Sequence, residues 1–283
     1  MVRVTRGQRI FAAFNYAIMG LFALSMIIPV IHILQLTFSG HPDLSFRLIP
    51  KDFTIDNYAF VIKQGIILRP LWNSIVLSVT ATTFSLCMTS ILAYPLADRS
   101  LPGRRFFNFL VVLTIMINLG FLPKYLLIRE LKLMNSYWSI ILVGGISSFN
   151  LIIMRNYFQS LPGELFDSAR IDGAPELTIL IRIVVPLSRP VMATIFLFYF
   201  VDNWNEYFKI ILYITDRMKH TLQVILRSII ILEEDMATSE ANAILVDNIK
   251  YTTVIVALIP IMILYPFLQK YFTRGILLGS VKG

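Results

Sequence analysis

The sequence predicts an all-α polytopic membrane protein with six transmembrane helices, and three observations support this prediction. Hydrophobic residues make up 57% of the 283 positions and charged residues only 15%, whereas a soluble domain usually carries about 25% charged residues. Several apolar runs approach or exceed about 18 residues, the length at which a helix can cross a bilayer. The Lys and Arg residues behind the net charge of +8 collect between those runs, so nucleic acid is not an expected partner.

The apolar runs give the positions of the six spans within a single permease domain, residues 1–283. The spans are predicted at residues 14–38, 71–97, 106–122, 138–158, 186–213 and 251–272. The first run is longer than the apolar part of a cleaved signal peptide, about 7–15 residues, so we expect a retained helix. The second run is rich in Ser and Thr, and helix packing is favoured over pore lining as their role. Gly144 and Gly145 are expected to allow tight packing in the fourth.

Two longer polar segments, residues 39–69 and 216–248, are predicted to lie outside the membrane. In the first, Thr54 or Asp56 suits the N-terminus of a short helix. Orientation follows the basic residues of the short flanks. These residues are Arg3, Arg6, Arg9, Arg99, Arg104 and Arg105. They place both termini and the loop at residues 161–187 in the cytoplasm.

The sequence offers little chemistry of its own. It contains no G-x-x-x-x-G-K-[ST] phosphate loop, so the chain should not hydrolyse ATP alone. Its three histidines do not have metal-ligand spacing, and the single cysteine, Cys87, can form no intrachain disulfide. Asp202, Glu206 and Lys209 lie in the outer half of the fifth predicted span, where ionisable groups are functional candidates. An ion-coupled secondary transporter and a membrane-embedded enzyme or receptor are therefore alternatives that stay open.

Residues 161–187, between the fourth and fifth predicted spans, are predicted to form two short helices. Glu164 suits the positive N-terminal turn of the first helix. Gly173 suits the left-handed position that ends it, and Pro175 suits the start of the second helix. Pro186 marks a bend into the fifth span. A short capped helix attached rigidly to a span would act as a lever, and an ordinary interfacial turn is the alternative.

Several motifs resemble those of one transporter family. The run D-S-A-R-I-D-G-A at 167–174, followed by Pro186, resembles the E-A-A-x-x-x-G signature of ABC importer permeases, with Asp-Ser in place of the leading Glu-Ala. W-N-E-Y-F at 204–208 and G-S-V-K-G at 279–283 resemble elements of the carbohydrate-uptake branch, whose best-known member is the inner subunit of the maltose importer. L-G-F-L-P-K-Y-L-L at 119–127 resembles a segment of the subgroup that handles complex oligosaccharides, including alginate-type uronates.

This resemblance implies a non-catalytic permease subunit of an ATP-driven, binding-protein-dependent importer of oligosaccharides in a bacterial inner membrane. No cofactor would be bound by this chain, because ATP and Mg would be bound by a partner ATPase. The expected partners are a second homologous permease, two ATPase subunits, an extracytoplasmic sugar-binding protein, the oligosaccharide and membrane lipid.

The resemblance also implies roles for particular residues. Those expected to serve ATPase coupling are Glu164, Asp167, Ser168, Ala169, Asp172, Gly173, Ala174, Pro186 and, in the tail, Lys282. Arg170 is expected on the opposite, solvated face. The outer half of the fifth span is expected to form the substrate path, through Tyr199, Asn203, Trp204, Asn205 and Glu206. Cations for a uronate could come from Lys124, Arg129, Lys132 and Lys209, which could equally bind lipid head groups.

Overall fold

The computed structural model describes residues 6–40, 50, 52–63, 65–117, 120–236, 249–266 and 269. Within these ranges the regular structure is helical, apart from one isolated antiparallel bridge between Ser39 and Phe53. The prediction of an all-α protein is therefore confirmed.

The described helices follow one another along the chain. They are α1 (Arg6–Thr37), α2 (Asp56–Lys63), α3 (Leu68–Ala97), α4 (Arg104–Met116), α5 (Leu122–Glu130), α6 (Trp138–Val143), α7 (Ser148–Gln159), α8 (Glu164–Ile171), α9 (Glu176–Ile179), α10 (Val185–Leu187), α11 (Arg189–Trp204), α12 (Phe208–Tyr213), α13 (Leu222–Met236) and α14 (Ile249–Pro266). A π-helical turn, Leu180–Val184, joins α9 to α10, and a 3₁₀ turn, Arg217–Lys219, precedes α13.

Three of the six predicted spans correspond to long apolar helices. α1, α3 and α14 are each long and apolar enough to cross a membrane. The segments Glu176–Leu187 and Arg189–Trp204 qualify as a fourth span when taken together, although they are bent by 88°. The predicted spans at 106–122 and 138–158 are each interrupted in the structure. The count of six therefore stays a prediction.

The fourth predicted span is broken at its two glycines. Gly144 is the C-cap of α6, and α7 begins after Ser147, whose Oγ accepts a hydrogen bond from the Asn150 amide (3.4 Å). A Cβ built on Gly145 would lie 3.1 Å from Phe84 Cε1. Glycine thus permits the tight packing that was predicted, here against α3, but it does so at an interruption of the helix.

The chain divides into two compact units. One comprises Met1–Ile67 with Leu226–Leu258, and the other comprises Leu68–Ile225 with Ile259–Gly283. The grouping of residues 1–283 into one permease domain stays a prediction, as do the two external segments.

In the first unit, polar contacts tie α2 to the end of α1. Asn57 Nδ2 donates to the carbonyls of Thr37 (3.0 Å) and Ser39 (3.1 Å). At the start of α2, Thr54 Oγ1 accepts a hydrogen bond from the Asp56 amide (3.1 Å). Thr54, two residues before α2 begins, therefore satisfies the first amide of the helix from outside the N-cap position.

In the second unit, α3 is the central helix and packs against α7 and α11. One set of its hydroxyl residues recurs at spacings of three and four and shares one face of the helix, whereas Thr80 and Thr83 are exposed. The fully buried members of this stripe are Ser74, Ser78, Thr82, Ser85 and Thr89. Their burial confirms that these residues serve helix packing.

Candidate functional site

The loop at 161–187 contains the two short helices that were predicted. α8 ends in a left-handed glycine, since Gly173 has a φ of +77°. The Gly173 amide donates to the Arg170 carbonyl (3.0 Å) and the Ala174 amide donates to the Ala169 carbonyl (3.0 Å). This pair of bonds is the Schellman arrangement. Pro175 is then the N-cap residue of α9, so the glycine break and the proline restart are confirmed.

α8 has one face toward the protein and one toward solvent. Phe166, Ala169 and Ala174 are half-buried and pack against a core that includes Ile179 of α9. Within α8 and the turn that ends it, the exposed residues are Glu164, Leu165, Asp167, Ser168, Arg170, Ile171, Asp172 and Gly173. Ile171 has an exposed fraction of 86%, which is high for an apolar side chain beside acidic neighbours. This outer face therefore combines two exposed apolar side chains, Leu165 and Ile171, with acidic and small polar residues.

Arg170 is not simply solvated, contrary to the expectation from sequence. Its Nε lies 2.8 Å from Glu176 Oε1, and its Nη2 lies 3.4 Å from Glu176 Oε2 and 3.3 Å from Asp98 Oδ2. Asp167 is more distant, at 3.8 Å from Nη1. The Tyr94 hydroxyl donates to the same Glu176 carboxylate. One guanidinium therefore joins α8, α9 and the end of α3.

The charges of this cluster stabilise one another. The hydrogen bond from Arg170 holds the pKa of Glu176 below its ordinary value, and the same bond raises the pKa of Arg170. Hydrogen bonds from the Ser100 hydroxyl and amide are the main reason that the pKa of Asp98 is lowered. All three groups are therefore ionised at neutral pH. They line a cavity of about 690 Å³ between the end of α3, the end of α7 and α8.

The loop turns sharply into α11. The bend that was predicted at Pro186 occurs two residues later, at Ser188, where the segment Glu176–Leu187 meets Arg189–Trp204 at 88°. The π-helical turn before it buries Leu180 and Val184 in the apolar core. If α11 crosses the membrane, this geometry lays α9 and α10 along the membrane surface.

Two of the predicted substrate-path residues are engaged inside the second unit. Tyr199 is only 3% exposed; its hydroxyl lies 2.7 Å from Thr89 Oγ1 and accepts from the Ser147 amide (2.9 Å). Asn203 Nδ2 donates to Thr82 Oγ1 (3.3 Å). In this conformation, both side chains connect α11 to the hydroxyl stripe of α3.

The remaining predicted path residues lie where α11 ends. Trp204 is 1% exposed and its ring stacks on Phe200 at 5.9 Å. Asn205 is exposed and caps α11 through the Val201 carbonyl (2.9 Å). Glu206 forms an ion pair with Lys209, and its Oε1 also accepts from the Lys209 amide (3.0 Å). Asn205 is therefore the exposed member of this set.

Other predicted residues are dispersed. Lys124 and Arg129 lie on α5, and Lys132 follows α5 in the left-handed region, with a φ of +56°. Lys282 lies outside the described residues. Sequence reasoning did not identify Tyr94, Asp98 or Glu176 as part of the site; the charges of Asp98 and Glu176, between or beside the predicted spans, were the available signal.

Comparisons with known proteins agree on one family. The family model described as "Binding-protein-dependent transport system inner membrane component" matches residues 75–278. The polygalacturonan/rhamnogalacturonan transport system permease protein YtcP of Bacillus subtilis (strain 168) is 40% identical over 284 residues, which cover 98% of this chain and 99% of that protein. Protein LplC of the same strain is 41% identical, with 99% and 97% covered.

Among solved structures, the chain resembles a subunit of a bacterial ABC transporter involved in the import of the acidic polysaccharide alginate. The TM-score is 0.85 at 32% sequence identity, and the alignment covers 96% of this chain and 100% of that one. The likeness therefore extends over the whole fold as well as the loop at 161–187.

Proposed function

Since the chain belongs to the family of binding-protein-dependent transport system inner-membrane components, we propose that it forms half of a pore that imports an acidic oligosaccharide. It is a non-catalytic permease subunit of an ABC importer, so the energy must come from other chains. In our proposal these are two ATPase subunits, acting with a second, homologous permease and an extracytoplasmic binding protein. The membrane is the bacterial inner membrane, with both termini of the chain in the cytoplasm.

The exposed face of α8 is the observation that carries this proposal. It presents Asp167, Ser168, Ile171 and Asp172 on a helix that is closed by Gly173 and attached, through α9, to a buried core. An ATPase cleft that accepts this face would gain apolar burial from Ile171, whereas exposed ion pairs contribute only about 0–1 kcal/mol each. Shape should therefore matter more than charge in docking.

The mechanism that follows is alternating access. ATP binding closes the ATPase dimer and displaces α8. Because α9, the π-helical turn and α10 meet α11 at 88°, a displacement of the loop along the membrane surface would tilt or rotate α11. Tyr199 and Asn203 then carry the change to α3 through Thr89 and Thr82. ATP hydrolysis resets the arrangement.

Two observations support an acidic cargo: the substrates named for similar proteins, and basic residues on or near α5. Alginate and polygalacturonan, named for two of the similar proteins, are both polymers of uronic acids. Lys124 and Arg129 lie on α5 and Lys132 lies just after it, where they could attract such chains electrostatically. Lys209 is less available, because Glu206 already pairs with it.

Uptake by proteoliposomes tests the proposal. The complete transporter would be reconstituted with its loaded binding protein and offered uronate or neutral oligosaccharides of equal length. We expect uptake that requires ATP, persists when ionophores collapse ion gradients, and favours the uronate. Uptake driven by an ion gradient without ATP would instead establish the secondary-transporter alternative. A preference for neutral sugar would refute the acidic cargo while leaving the importer in place.

A further inference from the structure

We propose that Arg170 is a positioning residue that clamps the loop at 161–187, here called the coupling loop, to the cytoplasmic end of α3. This inference rests on the proposed function, in which α8 receives force from an ATPase. It adds that the force has a second route into the membrane part: through the Arg170 side chain into α3, in addition to the backbone route into α11.

The need for a clamp follows from how lightly α8 is held. α8 has no fully buried residue. Its connection to α9 is the four-residue segment 172–175, which turns at Gly173, and nothing lies within 4 Å of the position that a Gly173 Cβ would occupy. Its other contacts are the half-buried packing of Phe166, Ala169 and Ala174, which includes the ring of Phe166 against that of Tyr94 in α3 (centroids 6.5 Å apart). Apolar contacts of this kind are non-directional, so they do not fix the orientation of α8.

Arg170 adds directional hydrogen bonds to these contacts. The guanidinium meets Glu176 through two nitrogens, at 2.8 and 3.4 Å, and reaches Asp98 at 3.3 Å with one of them. A planar guanidinium can hold two carboxylates in fixed directions, whereas a Lys ammonium is a point charge on a flexible stem. The orientation of α8 relative to α3 is therefore set by a group that lysine does not replace.

Asp98, which receives the Arg170 side chain at the end of α3, is itself held in place. Asp98 Oδ1 accepts hydrogen bonds from the Ser100 amide (2.8 Å) and hydroxyl (2.7 Å), which leaves Oδ2 for Arg170. The Tyr94 hydroxyl, one turn earlier on α3, donates to Glu176. Both ends of the cluster are thus anchored on the last turn of α3, the helix that packs along α7 and α11.

Because Arg170, Asp98 and Glu176 are partly exposed, their effect on the position of α8 can be tested separately from their effect on folding. The side chains of Arg170, Asp98 and Glu176 are 40%, 35% and 56% exposed. Ion pairs that are this accessible to water contribute little to stability. A variant that weakens the clamp should therefore fold normally and fail in the transmission of force.

Hydrogen exchange of the full chain tests the clamp without any cargo. In Arg170→Lys we expect the amides of residues 164–173 to exchange about fivefold faster than in wild type, the size expected when exposed ion pairs are lost. Arg99→Lys is the matched control, because Arg99 is exposed and lines the same cavity; its exchange should equal that of wild type. Unchanged exchange in Arg170→Lys would overturn the clamp whatever the chain transports.

The positioning role is tested by the ratio of uptake to ATP hydrolysis in the reconstituted transporter. Arg170→Lys should lower that ratio about fivefold, within the usual range of coupling between sites, and Asp98→Asn added to it should cause little further loss, because both act through one contact. If Arg170→Lys exchanges faster but its ratio of uptake to ATP hydrolysis is unchanged, then Arg170 makes a structural contact and has no role in coupling. A wild-type transporter without ATP-driven uptake would refute the proposed function, and the exchange experiment would still decide whether the clamp exists.

Discussion

The hydroxyl of Tyr199 in α11 lies 2.7 Å from Thr89 Oγ1 in α3, and its oxygen also accepts a hydrogen bond from the Ser147 amide at 2.9 Å. Because that oxygen accepts from Ser147, its own hydrogen can be donated to Thr89. One phenol therefore joins α11, α3 and the break between α6 and α7. The site is buried, so water does not replace a partner that is removed.

Replacing Tyr199 by Phe should destabilise the protein by about 1–3 kcal/mol, the usual cost of leaving a buried polar group unsatisfied. The Ser147 amide and the Thr89 hydroxyl would both lose a partner, while the ring would still fill its space. Denaturant unfolding in detergent would measure the loss.

Tyr157→Phe provides the matched control for this experiment. The Tyr157 hydroxyl donates to the Leu187 carbonyl at 3.5 Å in an exposed setting, so its removal should cost less than about 0.5 kcal/mol. Equal losses of unfolding free energy in Tyr199→Phe and Tyr157→Phe would show that the buried hydrogen bonds of Tyr199 stabilise the protein no more than an exposed one.

Gly173 and Gly163 allow a paired test of the coupling loop. Nothing lies within 4 Å of a Cβ at either position, but Gly173 has a φ of +77° and Gly163 a φ of −61°. Gly173→Ala should therefore weaken the end of α8 by about 1–2 kcal/mol through backbone strain, whereas Gly163→Ala should be neutral or slightly stabilising.

Faster hydrogen exchange in α8 and less uptake per ATP are expected for Gly173→Ala. Gly163→Ala should retain wild-type exchange. If Gly173→Ala also behaves like wild type in both measurements, the left-handed turn is not needed to hold α8.

The features that could be predicted from the sequence depend on local patterns of residues. Gly173, Pro175 and Thr54 act on backbone groups within five residues of themselves, so their roles follow from spacing alone. The buried hydroxyl stripe of α3 is equally local, because positions three and four apart share a helix face.

The features that could not be predicted from the sequence depend on contacts between positions far apart in the chain. Arg170 and Asp98 are 72 positions apart, and no periodicity links a loop arginine to the end of an earlier helix. Asn203 was expected to line the substrate path, but its pairing with Thr82, 121 positions away, depends on how α3 and α11 pack. Likewise, the glycine pair at 144–145 signalled close packing without indicating that the helix would break there.

The break between α6 and α7 should be sensitive to a single methyl group. A Cβ on Gly145 would lie 3.1 Å from Phe84 Cε1 and 3.2 Å from the carbonyl oxygens of Ile141 and Leu142. Gly145→Ala should therefore cost about 1–3 kcal/mol through overpacking, measured by thermal or denaturant unfolding. Gly20→Ala, in α1 where nothing lies within 4 Å of the added Cβ, should not destabilise. A Gly145→Ala variant as stable as wild type would mean that Phe84 moves aside freely.

The titration of Glu176 gives a pH test of the cluster around Arg170. Its pKa is lowered from an ordinary value of 4.5, first by the hydrogen bond from Arg170 and then by that from Tyr94. For a carboxyl group with a depressed folded-state pKa, the stabilising contribution is fully present above the unfolded-state pKa and is lost as the pH falls through the folded-state pKa. The loop should therefore keep this contact throughout the neutral range and lose it only in acid below the ordinary value.

Infrared difference spectra between wild type and Glu176→Gln would isolate the carboxylate band of this residue during an acid titration. We expect a midpoint below 4.5, and a higher midpoint when Arg170 is replaced by Gln, because the largest cause of the shift is then removed. The isosteric Glu176→Gln variant should itself lose the ion pair and loosen α8 at every pH. A midpoint that does not respond to Arg170→Gln would mean that this pair does not form in solution.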